Sequence, residues 1–296
     1  MTIEQIYAEL AQEVTIEEND ENLQQKLEAA RYRYNDKIID IDYRLKVEVE
    51  NETFDIAGLG MIGIVTGQQK SRKTTFLKAL VAGAISGKQF LNFTFNLPEG
   101  KIYFFDTEQP VAYFRKTQRQ ILHMAGLTLD CDRYFAYMMR DWTVEERNIA
   151  VEEVIGKNND IGLIVIDGSL DMISNFNDEV ECKEYVQRLM RWTVQSGAMI
   201  ITVIHQNKGT KFMMGHIGSM ISKKCDFGFE MKQSQNSTTT TINASDTRTK
   251  PFPSFEFMQD EYGYPVLNQK QTKVKPQVQS ISTLKVKENY PSYWDF

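Results

Sequence analysis

The chain has 296 residues, of which 42% are hydrophobic and 25% charged, and its formal net charge is −6. These values predict a globular protein long enough for one large domain with appendages or for two modest domains. No run of eighteen apolar residues occurs, and the N-terminus MTIEQIYAEL carries glutamates where a signal peptide has basic and then apolar residues. We therefore expect a cytoplasmic protein without a membrane partner.

Cysteine and histidine are scarce and scattered. The cysteines are an odd number, far apart and without a CxxC pair: Cys131, Cys182 and Cys225. The histidines are equally dispersed: His123, His205 and His216. This usage argues against a disulfide framework and against a zinc site.

The first part of the chain is acidic and helical in pattern. Residues 2–13 and 21–35 place their apolar side chains on one face each, which predicts two helices. The acidic break TIEENDEN separates them. We interpret residues 1–52 as a helical appendage, and two roles remain open: a contact between protomers, or a lead-in that packs on the chain's own core.

From about residue 53 the pattern changes to short apolar runs separated by longer helix-like stretches. This alternation predicts an α/β fold, with a mostly parallel central sheet flanked by helices. After residue 225, short strand-like pieces and polar turns predict an antiparallel extension at the C-terminal side. We assign residues 53–267 to this domain and 268–296 to a flexible tail with the aromatic and acidic tip YPSYWDF. The five runs are 61–67, 101–107, 134–139, 161–167 and 198–205.

The first apolar run leads into GQQKSRKT, close to a phosphate-binding loop. In that motif, backbone N–H groups surround the phosphates, a Lys reaches their outer oxygens, and a Ser or Thr hydroxyl holds Mg²⁺. Lys73 and Thr74 fit these roles, whereas Arg72 stands where the second Gly is usual. A turn with an incidental Lys and Thr is the alternative. The predicted ATP-binding residues are Gly67, Gln68, Gln69, Lys70, Ser71, Arg72, Lys73, Thr74 and Thr75.

Two further strand ends carry carboxylates. Asp167 ends the run IGLIVID and is expected, with Thr74, to hold Mg²⁺, partly through water. Glu108 follows the run KIYFFD and is our candidate for orienting the attacking water. Asp106 is its competitor, although Asp106 also fits the role of a helix cap.

The run ending at residue 205 delivers polar side chains to the same edge of the sheet. His205, Gln206 and the following Asn207 fit a sensor of the terminal phosphate, and a hydrogen-bonded strand end is the alternative. The loop beyond them contains Lys208, Lys211 and Phe212. Cations beside an aromatic ring suit single-stranded nucleic acid, but an ordinary surface loop fits nearly as well.

Together these motifs resemble the RecA-like branch of P-loop ATPases, and they are most similar to the RepA- and DnaB-type hexameric helicases and the AAA ATPases of phages and plasmids. The resemblance covers about residues 53–260 and is carried by GQQKSRKT, FDTEQP, LIVIDGS, VIHQNKG, GHIGSMISKKCDFGFEM and TRTKPFPSFEF. It implies that Glu108 is the catalytic glutamate, that Asp167 is the Walker B aspartate, and that His205 with Gln206 forms the sensor. It also implies that Arg248 and Lys250 reach the terminal phosphate bound by a neighbouring subunit.

The resemblance implies a function as well. We expect an ATP-hydrolysing motor on single-stranded DNA that works as a hexameric ring or filament, such as a replicative helicase or helicase-like ATPase of a phage, plasmid or mobile element. Three alternatives stay open: a recombination or strand-annealing protein, a nucleotide-binding scaffold or regulator with little turnover and, less well supported, a small-molecule kinase. The tail suggests a contact with a replication or single-strand-binding protein.

Overall fold

The computed structural model describes residues 23–37, 40–207, 213, 215–233 and 238–268. The chain divides into two compact units, Met1–Ile41 and Asp42–Phe296. In the first unit, residues 23–30 form a helix, α1, within the span predicted as the second helix. The predicted helix 2–13 and residues 269–296 of the predicted tail lie outside the described residues.

A nine-stranded sheet forms the framework of the second unit, in the order β12-β11-β10-β9-β3-β8-β7-β5-β6. The strands from β9 to β6 pair in parallel, and those from β9 to β12 pair antiparallel. The α/β fold with an antiparallel extension is therefore confirmed. The strands are β3 Ile62–Gly67, β5 Lys101–Asp106, β6 Tyr134–Met138, β7 Ile161–Asp167, β8 Met199–His205, β9 Phe227–Gln233, β10 Thr239–Ser245, β11 Phe255–Gln259 and β12 Pro265–Leu267.

Helices cover both faces of this sheet. Several of them begin at residues that cap a helix N-terminus or end at residues that stop a helix. A capping box between Thr143 and Glu146 starts one of them, with both reciprocal hydrogen bonds present. Gly87 ends another in the left-handed conformation, at φ 68°. The helices are α2 Lys73–Ser86, α3 Val111–Ala125, α4 Val144–Lys157, α5 Glu179–Ser196 and α6 Gly215–Ser222, and a short 3-10 helix spans Ser169–Met172.

A second, three-stranded sheet has the order β2-β1-β4, with β1 at Tyr43–Val49, β2 at Glu52–Gly58 and β4 at Phe93–Phe95. Alternate residues of β1 are buried, which places this strand in the core of the second unit. The prediction of a helical appendage over residues 1–52 is therefore wrong for residues 43–49, where charged residues alternate with apolar ones, the pattern of a half-buried strand.

The parallel strands bring three predicted site residues, and the competing candidate Asp106, to one edge of the large sheet. Gly67 ends β3 opposite His205 at the end of β8, and Asp106 ends β5 opposite Asp167 at the end of β7. The carboxyl edge of such a sheet is where α/β proteins bind ligands. Within the described residues, no helix has the length and apolar character to span a membrane.

Candidate functional site

The loop between β3 and α2 curls tightly at the start of the helix. Gly67 has φ 153°, and a Cβ there would lie 2.5 Å from both the backbone oxygen of Met231 and Oγ of Ser71. Lys70 and Arg72 also have positive φ, 65° and 64°. The side-chain oxygen of Ser71 is buried without a partner among the described residues. Backbone N–H groups at a helix N-terminus favour an anion, so this cradle fits phosphate.

Lys73 supplies a cation inside the loop. Its Nζ donates hydrogen bonds to the backbone oxygens of Gly67 at 3.0 Å and Gln68 at 2.8 Å. Burial lowers the pKa of the ammonium to about 8, although the carboxylates of Asp167 and Glu108 raise it. The amine thus lies beside the curled backbone, with its hydrogen bonds directed to groups that a phosphate would replace.

Thr74 and Asp167 form the second part of the site. Oγ1 of Thr74 donates to Oδ2 of Asp167 at 3.0 Å. Burial is the main cause that raises the pKa of the Asp167 carboxyl, to about 8, with Asp106 and Glu108 acting in the same direction. Hydroxyl and carboxylate oxygens are the ligands that Mg²⁺ prefers, so this pair fits a bound magnesium ion.

Glu108 faces the same edge and contacts His205 across the sheet. Nε2 of His205 lies 2.9 Å from Oε1 of Glu108. This hydrogen bond is the largest cause of a lowered pKa of the Glu108 carboxyl; burial opposes it, while the charges of His205 and Lys73 add to it. An ionised carboxylate at this position is suited to accept a proton from water.

Asp106 has a different environment. Its Oδ1 accepts hydrogen bonds from the backbone N–H groups of Glu108 at 3.1 Å and Gln109 at 2.8 Å, and its Oδ2 accepts one from the Gln109 side chain. The residue is completely buried. Asp106 therefore fixes the turn that carries Glu108. This agrees with the capping role that the sequence offered as an alternative for Asp106.

The remaining polar residues after β8 point in other directions. Gln206 is buried, donates its side-chain N–H to Glu230 at 3.1 Å, and donates its backbone N–H to Gly67. Asn207 donates to the backbone oxygen of Met213 at 3.5 Å. Of the predicted sensor group, His205 contacts Glu108 and Gln206 adjoins the loop. Lys208, Lys211 and Phe212 lie outside the described residues.

A family model described as AAA domain matches residues 54–211, more than half of the chain. The chain belongs to the AAA domain family. The matched span contains the phosphate loop, Glu108, Asp167 and His205. The resemblance to P-loop ATPases is thus confirmed at that level, and the AAA domain identifies a nucleotide-hydrolysing protein. A search of curated proteins found no match.

Arg248 and Lys250 lie away from the AAA domain's phosphate loop. Arg248 pairs with Asp226 at 2.6 Å. Asp226 bonds the backbone of Ile62 at the start of β3, whereas the loop follows the end of that strand. Because a strand rises about 3.3 Å per residue, Ile62 at the start of β3 and Gly67 at its end are about 17 Å apart. Lys250 pairs with Glu52 and lies 4.9 Å from the ring centre of Phe54.

The contacts that the antiparallel strands make with the loop of the AAA domain were not predicted. Nη1 of Arg72 donates to Oγ1 of Thr240 at 2.9 Å, and the Gln259 side chain donates to Thr75. Neither partner carries a motif signal. Their proximity arises from strand pairing across the sheet rather than from spacing along the chain.

A groove along α3 was not predicted either. It lies between α3 and the turn before β12, and its lining includes Ala112, Arg115, Gln120 and Tyr262. Lys78, on α2, donates to Gln120 at 2.8 Å and to the backbone oxygen of Gly263 at 2.7 Å. Helical spacing on α3 gives one signal that was available, because Arg115 and Arg119 lie on the same face.

Proposed function

We propose that the protein is an ATP-hydrolysing motor that acts on single-stranded DNA, as a replicative helicase or helicase-like ATPase of a phage, plasmid or mobile element. The ATPase part rests on one observation above all. At one edge of the sheet, the Lys73 amine, the Thr74–Asp167 pair and the Glu108–His205 pair converge on a curled loop at a helix N-terminus. This is the set of groups that phosphoryl transfer to water requires.

In this proposal, Lys73 exchanges its hydrogen bonds to the Gly67 and Gln68 carbonyls for bonds to the outer phosphates. Thr74 and Asp167 hold Mg²⁺, which when bound neutralises charge on the phosphate oxygens. Glu108 orients a water molecule for in-line attack and accepts its proton. His205 keeps Glu108 ionised and in place, and its Nδ1, buried without a partner among the described residues, remains free to report the terminal phosphate.

We further propose that the groove beside α3 takes the nucleobase. Two elements link the groove to the site: Lys78, which bonds the groove residue Gln120, lies one helical turn beyond Thr74 on α2, and the groove residue Ala112 follows Glu108 closely in the chain. The exposed ring of Tyr262 and the guanidinium of Arg115 are suited to stack on a base. Tyr262→Ala is then expected to weaken ATP binding about tenfold and to leave binding of inorganic triphosphate unchanged. Equal losses for both ligands would contradict this placement.

The DNA and assembly parts rest on the resemblance to the helicase group. Lys208, Lys211 and Phe212 follow the sensor residues in the chain, and we propose that they contact a single strand. We propose that Arg248 and Lys250 complete a neighbouring subunit's site in a ring or filament. The tail is proposed to bind a replication or single-strand-binding protein, and the protein is proposed to act in the cytoplasm.

The deciding experiment measures phosphate release from ATP by the full chain, with and without single-stranded DNA, and unwinding of a forked duplex. We expect turnover that DNA stimulates, and we expect Lys73→Ala to lose nucleotide binding because the loop loses its cation. ATP turnover that does not respond to single-stranded DNA, or turnover without duplex unwinding, would contradict the proposed helicase activity. If calorimetry detected no binding of magnesium ATP, the proposed ATPase activity would be wrong.

The second candidate is a nucleotide-binding regulator with little turnover. Arg72 favours it, because a side chain stands where P-loop ATPases usually have Gly. Tight ATP binding with no phosphate release would support this alternative.

A further inference from the structure

Arg72 makes a contact that a glycine in the same place could not make. Its backbone is left-handed, at φ 64° and ψ 30°, directly before α2. Its Nη1 donates to Oγ1 of Thr240 at 2.9 Å, a residue 168 positions later in the chain. Thr240 is completely buried on β10, which is separated from β3 by β9 alone. The guanidinium is therefore directed along the sheet toward β10.

The same region of the loop is tied to the antiparallel strands a second time. Thr75 accepts a hydrogen bond from the Gln259 side chain on β11. Arg72 and Thr75 flank Lys73 and Thr74, the two residues with direct roles at the phosphates and the metal. The backbone that presents these two residues is thus fixed on both sides by β10 and β11.

We propose that Arg72 is a positioning residue for nucleotide binding, whose hydrogen bond to Thr240 holds the phosphate loop in its curled form. The inference rests on the proposed function, because it requires ATP to bind at this loop. A non-Gly residue adopts the left-handed conformation less readily than Gly, and a side-chain bond to a buried partner compensates for that preference. The bond also keeps the guanidinium from projecting freely over the bound phosphates.

Thr240→Val tests the bond from its acceptor side, because valine keeps the shape of threonine and removes the oxygen. The matched control is Thr241→Val, the same change on the same strand with the side chain on the opposite face of β10. We expect Thr240→Val to weaken magnesium ATP binding about tenfold, the effect of losing one charged hydrogen bond. The loss should appear in KM rather than in kcat, and Thr241→Val should bind like the wild type.

Arg72→Gly tests the donor side, because glycine adopts the left-handed backbone without strain. In the Arg72→Gly background, Thr240→Val should produce no further loss of affinity for magnesium ATP. In the wild-type background, Thr240→Ser should retain most of the wild-type affinity, because serine keeps the acceptor oxygen. Thermal unfolding without nucleotide checks that each variant is folded. Wild-type affinity in Thr240→Val, or additive losses in the double variant, would overturn the proposal.

The two proposals fail in different ways. If Arg72 acted directly on the phosphates, Arg72→Gly would weaken binding while Thr240→Val would not, and the positioning role would be wrong. If the wild type itself did not bind magnesium ATP by calorimetry, the proposed ATPase function would be wrong before any variant was compared.

Discussion

Nε2 of His205 and Oε1 of Glu108 are 2.9 Å apart, although β8, which ends at His205, and β5, which ends two residues before Glu108, are separated by β7. The contact crosses the carboxyl edge of the sheet beside Gly168, the residue after β7, where an added Cβ would lie 2.9 Å from Oε1 of Glu108. The hydrogen bond thus joins Glu108, the proposed general base, to His205, the proposed sensor of the terminal phosphate. A change at His205 therefore acts directly on the ionisation and position of Glu108.

Glu108→Gln is expected to keep nucleotide binding and to lower kcat by about a hundredfold to ten-thousandfold, the range for loss of a general base. Glutamine fills the same space but does not accept a proton from water. Rapid-quench measurement of phosphate release, together with calorimetry for affinity, tests this expectation. The comparison variant is Asp106→Asn, which keeps an oxygen for the backbone N–H groups of Glu108 and Gln109 and should lower kcat far less. The reverse ranking would give the base role to Asp106.

His205→Ala is expected to move the acidic limb of the kcat profile to higher pH. The pKa of Glu108 is lowered chiefly by the hydrogen bond from His205, while burial opposes this effect. Without the imidazole, burial dominates and the pKa rises, so the carboxylate becomes ionised only at higher pH. The profile is measured without DNA, with His216→Ala as the control because that side chain is exposed on α6. An unshifted acidic limb in His205→Ala would show that this pair does not set the ionisation of the base.

The core of the fold and most of the candidate site are predictable from local sequence. Strands β3, β5, β7 and β8 are almost wholly buried, so each is a nearly unbroken apolar run that ends in a polar or glycine residue. Since parallel strands end at the same edge, the convergence of Lys73, Glu108 and Asp167 follows from these runs alone. The sequence pattern therefore carries both the sheet and its ligand-binding edge.

What the sequence does not show depends on pairing between distant segments. The contact of Arg72 with Thr240 requires the register of β10 on β9, which no local pattern specifies. Strand β1 does carry a local signal, since Arg44, Lys46 and Glu48 alternate with its apolar residues, but its pairing with the distant β4 is not visible in that pattern. The amino-edge position of Arg248 likewise follows from the reversal of β10, a property of the whole sheet.

Arg248→Ala is expected to leave ATP binding unchanged and to lower turnover, because Arg248 lies too far from its own loop to act there and is proposed to act on a neighbour. Mixing it with Lys73→Ala tests this directly. A Lys73→Ala subunit lacks a working loop but still supplies Arg248, so mixed assemblies should show more turnover than either variant shows alone. Turnover is measured across mixing ratios, and particle mass by light scattering with ATP. Full turnover by Arg248→Ala alone would contradict the shared site.

The buried amine of Lys78 is expected to make the free energy of unfolding depend on pH, independently of catalysis. Burial lowers the pKa of this amine from 10.5 to about 8, with the charge of Lys116 on α3 acting in the same direction and Asp260 opposing it. Between these two pH values the unfolded chain binds more protons at this site than the folded chain, so the Lys78 contribution to the free energy of unfolding rises with pH. Lys78→Met removes the titrating group. Urea denaturation at pH 7.5 and 9.5 should therefore show the wild type gaining stability relative to Lys78→Met, and the exposed Lys157→Met should not alter the wild-type pH dependence. Parallel pH dependence in the wild type and Lys78→Met would mean that the folded protein holds this lysine in its charged form as readily as the unfolded chain does.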